Sequence, residues 1–431
     1  MNHIEKILIN TKFHLTKLGR ENVISMLGMA IEYYNIFLYG YASSIIIAKF
    51  FAQSSSLIVI LAMLLSYLMG PLGALFFGHI GDKKGRKKIL ALAIALVSIP
   101  SFLISLLPSY DQIGVLASVL FIILRSVQTM AFGGDTIGLA TFVLEDAPAK
   151  HRGLFGGFMA TGGTIGIIFA SFVVSVFDPL KTLNSSWRWR IPLAMGIFGI
   201  IISIYFFRTF GETDTFKHYK KKYYRKTLPI VDLFKKNKLN FSRIVGITAL
   251  VPIITIIVFG YIPFLGVSHL RLSSSLSMWS NTLSLVLYAI FSPMFGIISD
   301  KLGRKPILLA VSLTFLITGY PLFLLLDNGS ILTFFLIQLF FSIVSSAYYG
   351  VTMATCIEHF PTHVRYTGVA LGYYVTYALF GGINGLYFAK LLMKDLHVDA
   401  APVVYLLFGA LIVFISTLFL KEEALHKLHN R

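Results

Sequence analysis

The chain has 431 residues, of which 56% are hydrophobic and only 13% charged, a shortage of charge that is unlike a soluble domain. Twelve membrane spans of about 20 residues would use nearly all of the hydrophobic residues, which leaves little for a soluble domain. The formal net charge of +18 lies in alternate loops rather than in one cluster, and the single cysteine, Cys356, excludes an intrachain disulfide and a cysteine metal cluster.

Long apolar runs predict an all-α integral membrane protein with twelve transmembrane helices in two six-helix halves. The spans are predicted near residues 22–48, 56–79, 88–107, 113–143, 153–177, 191–208, 244–267, 277–299, 306–326, 331–355, 367–391 and 402–420. The expected organisation is a tail at 1–21, a first half at 22–208, a basic linker at 209–243, a second half at 244–420 and a tail at 421–431.

The distribution of Lys and Arg predicts which loops face the cytoplasm, because cytoplasmic loops carry the excess of positive charge. With the N-terminus inside, the inner segments hold 29 Lys and Arg residues and the outer loops hold 7. Both termini and the linker are therefore expected on the cytoplasmic side of a cell inner membrane. Topology and attraction to anionic lipid at the inner face account for the net charge, so no nucleic-acid partner is predicted.

Two short motifs occur once in each half, which indicates a duplicated architecture. Gly-x-x-x-Asp-x-x-Gly-Arg-Lys begins at Gly78 and again 218 residues later at Gly296, and Glu-x-x-Pro-x-x-x-Arg begins at Glu145 and again 213 residues later at Glu358. Their glycines permit tight turns and close helix approach, and their acids and arginines can pair or cap helix ends. The predicted gating residues are Gly78, Asp82, Gly85, Arg86, Glu145, Arg152, Asp300, Gly303, Arg304, Glu358 and Arg365.

With these motifs the chain resembles the major facilitator superfamily, and most of all its metabolite:proton symporters, the family of proline/betaine, α-ketoglutarate, citrate and shikimate permeases. Further matching segments are Glu32-Tyr33-Tyr34, Phe37-Leu38-Tyr39-Gly40, Pro71-Leu72-Gly73, Leu107-Pro108-Ser109-Tyr110, Arg125-x-x-Gln128, Gly133-Gly134, Trp189-Arg190-Ile191-Pro192 and Gly381-Gly382. The resemblance implies a functional monomer that transports a small polar metabolite with protons.

The chain also departs from that family at several positions. Asn35, Asp135, Thr129, Gly70 and Tyr374 stand where the family usually has Asp, Glu, Gly, Arg and Asn. Asn35 can form hydrogen bonds but cannot titrate, so one proton site of the relatives is expected to be lost.

Three charged residues lie well inside predicted spans: Glu32 in the first, and Arg125 and Asp135 in the fourth. Charges at such depth are costly and normally face a cavity or a partner. Glu32 and Arg125 are both predicted near mid-depth, where they could meet across a cavity. Glu32 is interpreted as a proton carrier or as a fixed partner of Arg125.

Arg125 and Asp135 each allow two interpretations. The planar guanidinium of Arg125 suits a substrate carboxylate, but it could instead pair with Glu32 or Asp135. Asp135 is either part of a proton relay near the inner gate or a structural hydrogen-bonding group. The predicted substrate-binding residues are Arg125, Gln128, Tyr34, Asn35, Tyr39, Tyr261 and Tyr374, and packing is the alternative for each tyrosine.

The sequence contains no Gly-x-x-x-x-Gly-Lys-Ser/Thr motif, no His/Glu cluster with metal-ligand spacing and no nucleophile with a partner set. No cofactor, metal site or enzymatic activity is therefore predicted. The expected function is secondary active transport, by alternating access, of a small carboxylate or zwitterion with protons. The alternatives are a uniporter or exporter without proton coupling, and a membrane sensor that does not transport.

Overall fold

A computed structural model describes residues 3–51, 56–177, 187, 189–223, 228–268, 270–327, 330–381 and 401–424. Throughout these residues the regular structure is helical, with no β-strand. This is expected within a bilayer, where a helix satisfies its own backbone hydrogen bonds.

The helices follow one another with short connections. They are α1 (His3–Tyr41), α2 (Ser43–Phe50), α3 (Ser56–Lys84), α4 (Arg86–Leu106), α5 (Tyr110–Ile113), α6 (Val115–Asp146), α7 (Arg152–Phe177), α8 (Arg190–Ala194), α9 (Ile197–Thr209), α10 (Asp214–Tyr223), α11 (Pro229–Lys236), α12 (Lys238–Thr248), α13 (Leu250–Ile256), α14 (Ile262–Ser268), α15 (Ser274–Leu302), α16 (Arg304–Asp327), α17 (Ile331–Glu358), α18 (Arg365–Phe380) and α19 (Ala401–Leu418). A 3₁₀ turn at Ala149–His151 precedes α7, and a π-helical segment at Ile257–Tyr261 joins α13 to α14.

Each of the twelve predicted spans coincides with one or more of these helices, which confirms the predicted fold class. Eight helical stretches are long and apolar enough to cross a bilayer by length and composition, counting only described residues. The last apolar helix, Pro402–Leu418, is shorter. Residues 382–391, at the end of the eleventh predicted span, lie outside the described residues.

Helix boundaries differ from the sequence expectation at two places. Helix α1 begins at His3 rather than near residue 22, because the preceding segment is rich in Ile, Leu and Lys and contains no proline that would end a helix. The predicted linker, whose residues 224–227 are outside the described residues, contains α10, α11 and the first turns of α12.

Two interfaces join the first set of helices, α1–α9, to the second set, α12–α19. Helix α3 packs on α18, and α7 packs on α15. Glycines bring the backbones together at both crossings: a Cβ on Gly78 would lie 2.7 Å from the Cα of Thr367, and one on Gly296 would collide with the backbone of Gly153. Between these interfaces lies the central cavity.

Candidate functional site

A cavity of about 520 Å³ lies between the two sets of helices. The first set contributes α1, α2, α3 and α6 to its walls, and the second contributes α13 and α18. Three predicted substrate-binding residues line it, namely Tyr39, Arg125 and Tyr374. Arg125 is the only charged side chain among the described lining residues, so it dominates the electrostatics of the cavity.

The guanidinium of Arg125 is held in place by aromatic and amide groups. It lies 3.9 Å from the centre of the Tyr39 ring and 5.7 Å from that of Phe132. Its Nη1 donates a 2.6 Å hydrogen bond to Oε1 of Gln128. Nε2 of Gln128 in turn donates to the carbonyl of Val97 at 2.8 Å, which fixes the amide so that its oxygen faces Arg125. Gln128 is buried and acts through Arg125 rather than at the cavity wall.

The other predicted substrate-binding residues have partners within the helix bundle. The hydroxyl of Tyr34 donates to the carbonyl of Pro192 at 2.7 Å. Nδ2 of Asn35 donates to the carbonyl of Ile31, one turn earlier on the same helix, at 2.8 Å. The ring of Tyr261 lies 6.1 Å from that of Phe264. In this conformation the three side chains stabilise helix packing, which was the alternative interpretation for the tyrosines.

Glu32 reaches the cavity through one intermediate residue. Its side chain is fully buried, and Oε1 accepts a short hydrogen bond from the hydroxyl of Thr136, which lines the cavity. Oε2 of Glu32 has no hydrogen-bond partner within the described part of the chain. The hydroxyl of Tyr374 lies 3.5 Å from that of Thr136 and donates to the carbonyl of Phe132.

The predicted meeting of Glu32 with Arg125 is not found in this conformation. Thr136, which holds Glu32, follows Arg125 by eleven residues on α6, about 16 Å along the helix axis at 1.5 Å per residue. An extended arginine side chain does not cover that distance. Glu32 and Arg125 therefore occupy different levels of the cavity, each with its own partners.

Asp135 is buried next to this carboxyl. Neither of its carboxyl oxygens has a hydrogen-bond partner among the described residues, and it is only 1% exposed. Glu32 lies close enough for the charges of the two groups to interact. A buried carboxyl without a partner is costly, so the pair is a candidate for function rather than for stability.

Four tyrosines form the wall opposite Arg125. The ring centres of Tyr373, Tyr374 and Tyr377 lie 5.2–6.2 Å apart. The hydroxyl of Tyr33, on the first set of helices, lies 3.4 Å from that of Tyr373 on the second. Tyr33 and Tyr377 also line a second, neutral chamber of about 270 Å³ that contains no charged side chain among its described lining residues.

At one end of the bundle, which we call the motif end, the repeated motifs form two clusters of buried charges. In the first cluster, Asp82 accepts hydrogen bonds from the backbone N–H groups of Tyr366 at 3.2 Å and Thr367 at 2.8 Å, in the first turn of α18. Arg86 and Arg365 both donate to Oε1 of Glu145, at 2.9 Å and 2.8 Å. A carboxylate at a helix N-terminus is favourable because the backbone donors there are otherwise unpaired.

The second cluster repeats this arrangement with the two sets exchanged. Asp300 accepts from the backbone N–H groups of Gly153 at 2.8 Å and Leu154 at 3.0 Å, in the first turn of α7. Arg304 and Arg152 both donate to Oε1 of Glu358 at 3.0 Å. Each cluster therefore joins one set of helices to the other, and together they close the motif end.

The turns beside both clusters require glycine. Gly85, between α3 and α4, has φ of +119°, and Gly303, between α15 and α16, has φ of +98°. Side chains other than glycine rarely adopt this conformation. The second glycine of each repeated motif thus sets the turn that positions Arg86 and Arg304.

Comparisons with known proteins agree with this architecture. Residues 22–228 match the family model for sugar (and other) transporters, and residues 258–430 match the model for the Major Facilitator Superfamily. A glycine betaine/proline/ectoine/pipecolic acid transporter of Dickeya dadantii is 28% identical and covers 95% of this chain and 84% of its own length. A shikimate transporter of Escherichia coli is 27% identical, with coverage of 97% and 99%. The chain belongs to the major facilitator superfamily.

Solved structures show the same fold. The proton:xylose symporter XylE superposes with a TM-score of 0.80 at 16% identity, covering 96% of this chain and 99% of the other. As a member of the superfamily, the chain is a multi-pass inner-membrane transport protein and not an enzyme. The resemblance to metabolite:proton symporters is confirmed by relatives that are proline/betaine and shikimate transporters.

Sequence reasoning missed four residues of this major facilitator site. Thr136, which binds Glu32, has no signal of its own, because a hydroxyl in a span is ordinary. Tyr366 lies beside a predicted motif without belonging to it. Glu212 and Glu422 could have been found, since they follow the sixth and twelfth spans 210 residues apart. They accept from the backbone N–H groups of Lys87 at 3.3 Å and Lys305 at 2.9 Å.

Proposed function

We propose that this transporter imports a small carboxylate or zwitterionic metabolite together with protons, by alternating access. The observation that carries the proposal is the pairing of two features. The central cavity contains one permanent positive charge, Arg125, and a buried carboxyl, Glu32, is separated from it only by the hydroxyl of Thr136. The first feature suits an anionic group and the second suits a proton.

Arg125 is the proposed anchor of the substrate carboxylate. A guanidinium binds a carboxylate through two parallel charge-assisted hydrogen bonds, and it cannot lose its charge. Gln128 holds Arg125 in place and supplies an amide oxygen beside it. Tyr39 covers the other face of the guanidinium, which limits the direction from which a carboxylate can approach.

The tyrosine wall favours a zwitterion over a simple acid. The described lining residues include no acidic side chain, so a substrate ammonium group would meet the faces of Tyr373, Tyr374 and Tyr377. Aromatic faces attract such cations. Among the relatives are transporters of proline, betaine and ectoine, and we infer that a substrate of this kind is bound here.

Glu32 is the proposed proton carrier, with Asp135 as a second site. Both are buried, and Glu32 contacts a residue of the cavity wall. Asn35 lies one turn along α1 and cannot titrate, so we propose that these two carboxyls carry the coupling alone. If they do not, the remaining function is uniport or export of the same kind of substrate.

The motif end is proposed to be the cytoplasmic end, with both termini on that side. The chain would then comprise a tail at 1–21, a half at 22–208, a linker at 209–243, a half at 244–420 and a tail at 421–431, and act as a monomer. Helix α11 in the linker exposes Val231 and Phe234 beside Lys235 and Lys236. That combination suits contact with anionic lipid at the inner face.

Reconstitution in proteoliposomes tests the proposal. A panel of labelled proline, glycine betaine, shikimate and citrate should include one compound that accumulates when the lumen is alkaline, and a protonophore should abolish the accumulation. Equilibration without accumulation for every compound that enters would establish uniport instead. Absence of any flux, with a folded protein, would favour a membrane sensor.

A further inference from the structure

Tyr366 joins the closed gate to the helix that carries Asp135. Its side chain is fully buried, and its hydroxyl donates a 2.6 Å hydrogen bond to the carbonyl of Gly134, the residue before Asp135. Its backbone N–H donates to Oδ1 of Asp82 at 3.2 Å. One residue of α18 therefore contacts the gate on α3 and the carboxyl-bearing segment of α6.

The ring of Tyr366 occupies a slot that two glycines provide. A Cβ on Gly81 of α3 would collide with the ring, and a Cβ on Gly138 of α6 would collide with its hydroxyl end. Gly134 and Gly138 are four residues apart and so lie on one face of α6. The ring covers this face between Asp135 and Glu145 of the gate.

The carboxyls behind the ring have unpaired oxygens. Both carboxyl oxygens of Asp135 and Oε2 of Glu32 have no hydrogen-bond partner among the described residues. The charge of Asp135 is close enough to Tyr366 to interact with its hydroxyl. Water that replaced the ring would reach these groups directly from the motif end.

The other repeat has the same gate but no such ring. By the 213-residue offset of the second motif, Gly153 corresponds to Tyr366 and donates its N–H to Asp300 in the same way. It packs directly against the backbone of Gly296. The position that corresponds to Asp135 is Tyr348, which carries no acid. The ring and the buried carboxyls therefore occur on the same side of the pseudo-symmetric gate.

We propose that Tyr366 is a positioning residue that seals Asp135 and Glu32 from water at the motif end and leaves its slot when the gate opens. In its link to protons this rests on the proposed function. Because the ring and the N–H bound to Asp82 belong to one residue, α18 cannot separate from α3 without withdrawing the ring. A carboxyl O–H then gives its proton to water in the emptied slot and remains as carboxylate, so proton release is tied to gate opening.

Cysteine accessibility tests the seal without a substrate. In a Cys356→Ser, Asp135→Cys background, a small membrane-impermeant thiol reagent is applied to right-side-out and inside-out vesicles. Tyr366→Ala should raise the labelling rate by about tenfold or more from the motif end only, because a sealed site reacts only during rare openings. Tyr366→Phe keeps the ring in the slot and should return the rate towards that of the parent.

A second variant displaces the ring without changing α18. Gly138→Ala places a methyl group against the tyrosine hydroxyl and should also raise labelling from the motif end. Gly156→Ala is the matched control, because a Cβ there meets Ala354 at an ordinary 3.5 Å. Tyr348→Ala controls for loss of another fully buried tyrosine. Unchanged labelling in both Tyr366→Ala and Gly138→Ala, or an equal rise from both sides of the membrane, would overturn the seal.

The seal and the proposed function fail in different experiments. If Glu32→Gln keeps gradient-driven uptake while labelling behaves as expected, the proton role of Glu32 is wrong and the seal stands. If uptake depends on Glu32 but labelling does not depend on Tyr366, the seal is wrong and the coupling stands. With native Asp135, Tyr366→Ala should lower the accumulation ratio while leaving substrate exchange active, and an unchanged ratio would count against the seal.

Discussion

The two sets of helices are alike at the motif end and unlike at the centre. At the motif end each set provides an aspartate to a helix N-terminus of the other set, and a glutamate to arginines from both. At the centre, the first set alone provides Arg125 and the two buried carboxyls. The second set provides Pro252, Thr255, Ile256 and tyrosines.

This difference teaches where duplication has been kept. A gate that closes by rocking two halves needs matched contacts, because both halves separate along one interface. Binding and proton transfer need a particular chemical group at one place, and a symmetric copy of it would bury a second charge at added cost. Substitutions in the gate should therefore come in pairs of similar effect, whereas those at the centre should be one-sided.

The glutamates that join the arginines should give the largest effect. Glu145→Gln and Glu358→Gln each leave two buried arginines without a carboxylate, and removing one member of a buried pair typically costs about 3–5 kcal/mol. Both variants should unfold at clearly lower temperature in detergent. Exposed Asp111→Asn is the control and should change little. A marked effect of only one glutamate would show that the gate is not functionally symmetric.

The gate aspartates should differ by a smaller, graded amount. Asp82 accepts three hydrogen bonds from α18, including 2.7 Å from the Thr367 hydroxyl, whereas Asp300 accepts two from α7. Hydrogen bonds to charged groups contribute about 1.5–3 kcal/mol, so Asp82→Asn should open the gate more than Asp300→Asn.

Thiol labelling of Thr362→Cys in a Cys356→Ser background measures this opening, since Thr362 is fully buried at the gate. Asp82→Asn should also slow transport while the protein still binds substrate. Equal labelling in the aspartate variants and the parent would reduce the motif to a topology signal.

Glu32→Gln should be one-sided and should act on coupling rather than on binding. A gradient of one pH unit supplies about 1.4 kcal/mol per proton, or tenfold accumulation, and this should disappear while exchange of labelled for unlabelled substrate persists. Exchange needs no net proton movement. Thr164→Val is the control, because its hydroxyl bonds only within its own helix. Full accumulation in Glu32→Gln would eliminate Glu32 as the carrier.

Arg125→Lys should weaken substrate binding without abolishing it. Lysine keeps the charge but loses the planar pair of donors, a change of about 1 kcal/mol or roughly fivefold in affinity. A thermal-shift titration with a carboxylate substrate and with its methyl ester measures the effect. The ester should bind poorly to the parent protein. Equal affinity of acid and ester would move the carboxylate site away from Arg125.

The sequence predicted the helices and the gate well because both depend on signals that survive in one dimension. Apolar runs give the spans, and the motif offsets give the pairs Asp82 with Asp300 and Glu145 with Glu358. Which groups meet across the gate was not predictable, because Asp82 binds α18 of the other set, 284 residues away. Repeats show equivalence, and they do not show contact.

The centre was harder to predict because depth alone does not determine partners. Glu32 and Arg125 were both expected near mid-depth, yet Glu32 binds Thr136 and Arg125 binds Gln128. Tyr34 belongs to a matching family segment, but its hydroxyl is held by the carbonyl of Pro192. Helix rotation decides which side of a span faces the cavity, and an almost uniformly apolar span carries little information about rotation.

The smallest effect should come from the pair of glutamates that sequence reasoning missed. Glu212 and Glu422 accept from the backbone N–H of the second residue of α4 and of α16, so each places a negative charge at a helix N-terminus. Such charges contribute about 0.3–1 kcal/mol, and more when partly buried. Glu212 also acts on the charge of Arg86, whereas the bond of Glu422 is exposed. Glu212→Gln should therefore raise the labelling of Thr362→Cys slightly more than Glu422→Gln. Salt should weaken the effect of Glu422 first, because exposed charges are screened more strongly. If Glu422→Gln has the larger effect, or if the two respond equally to salt, the first repeat is not the more deeply supported half of the gate.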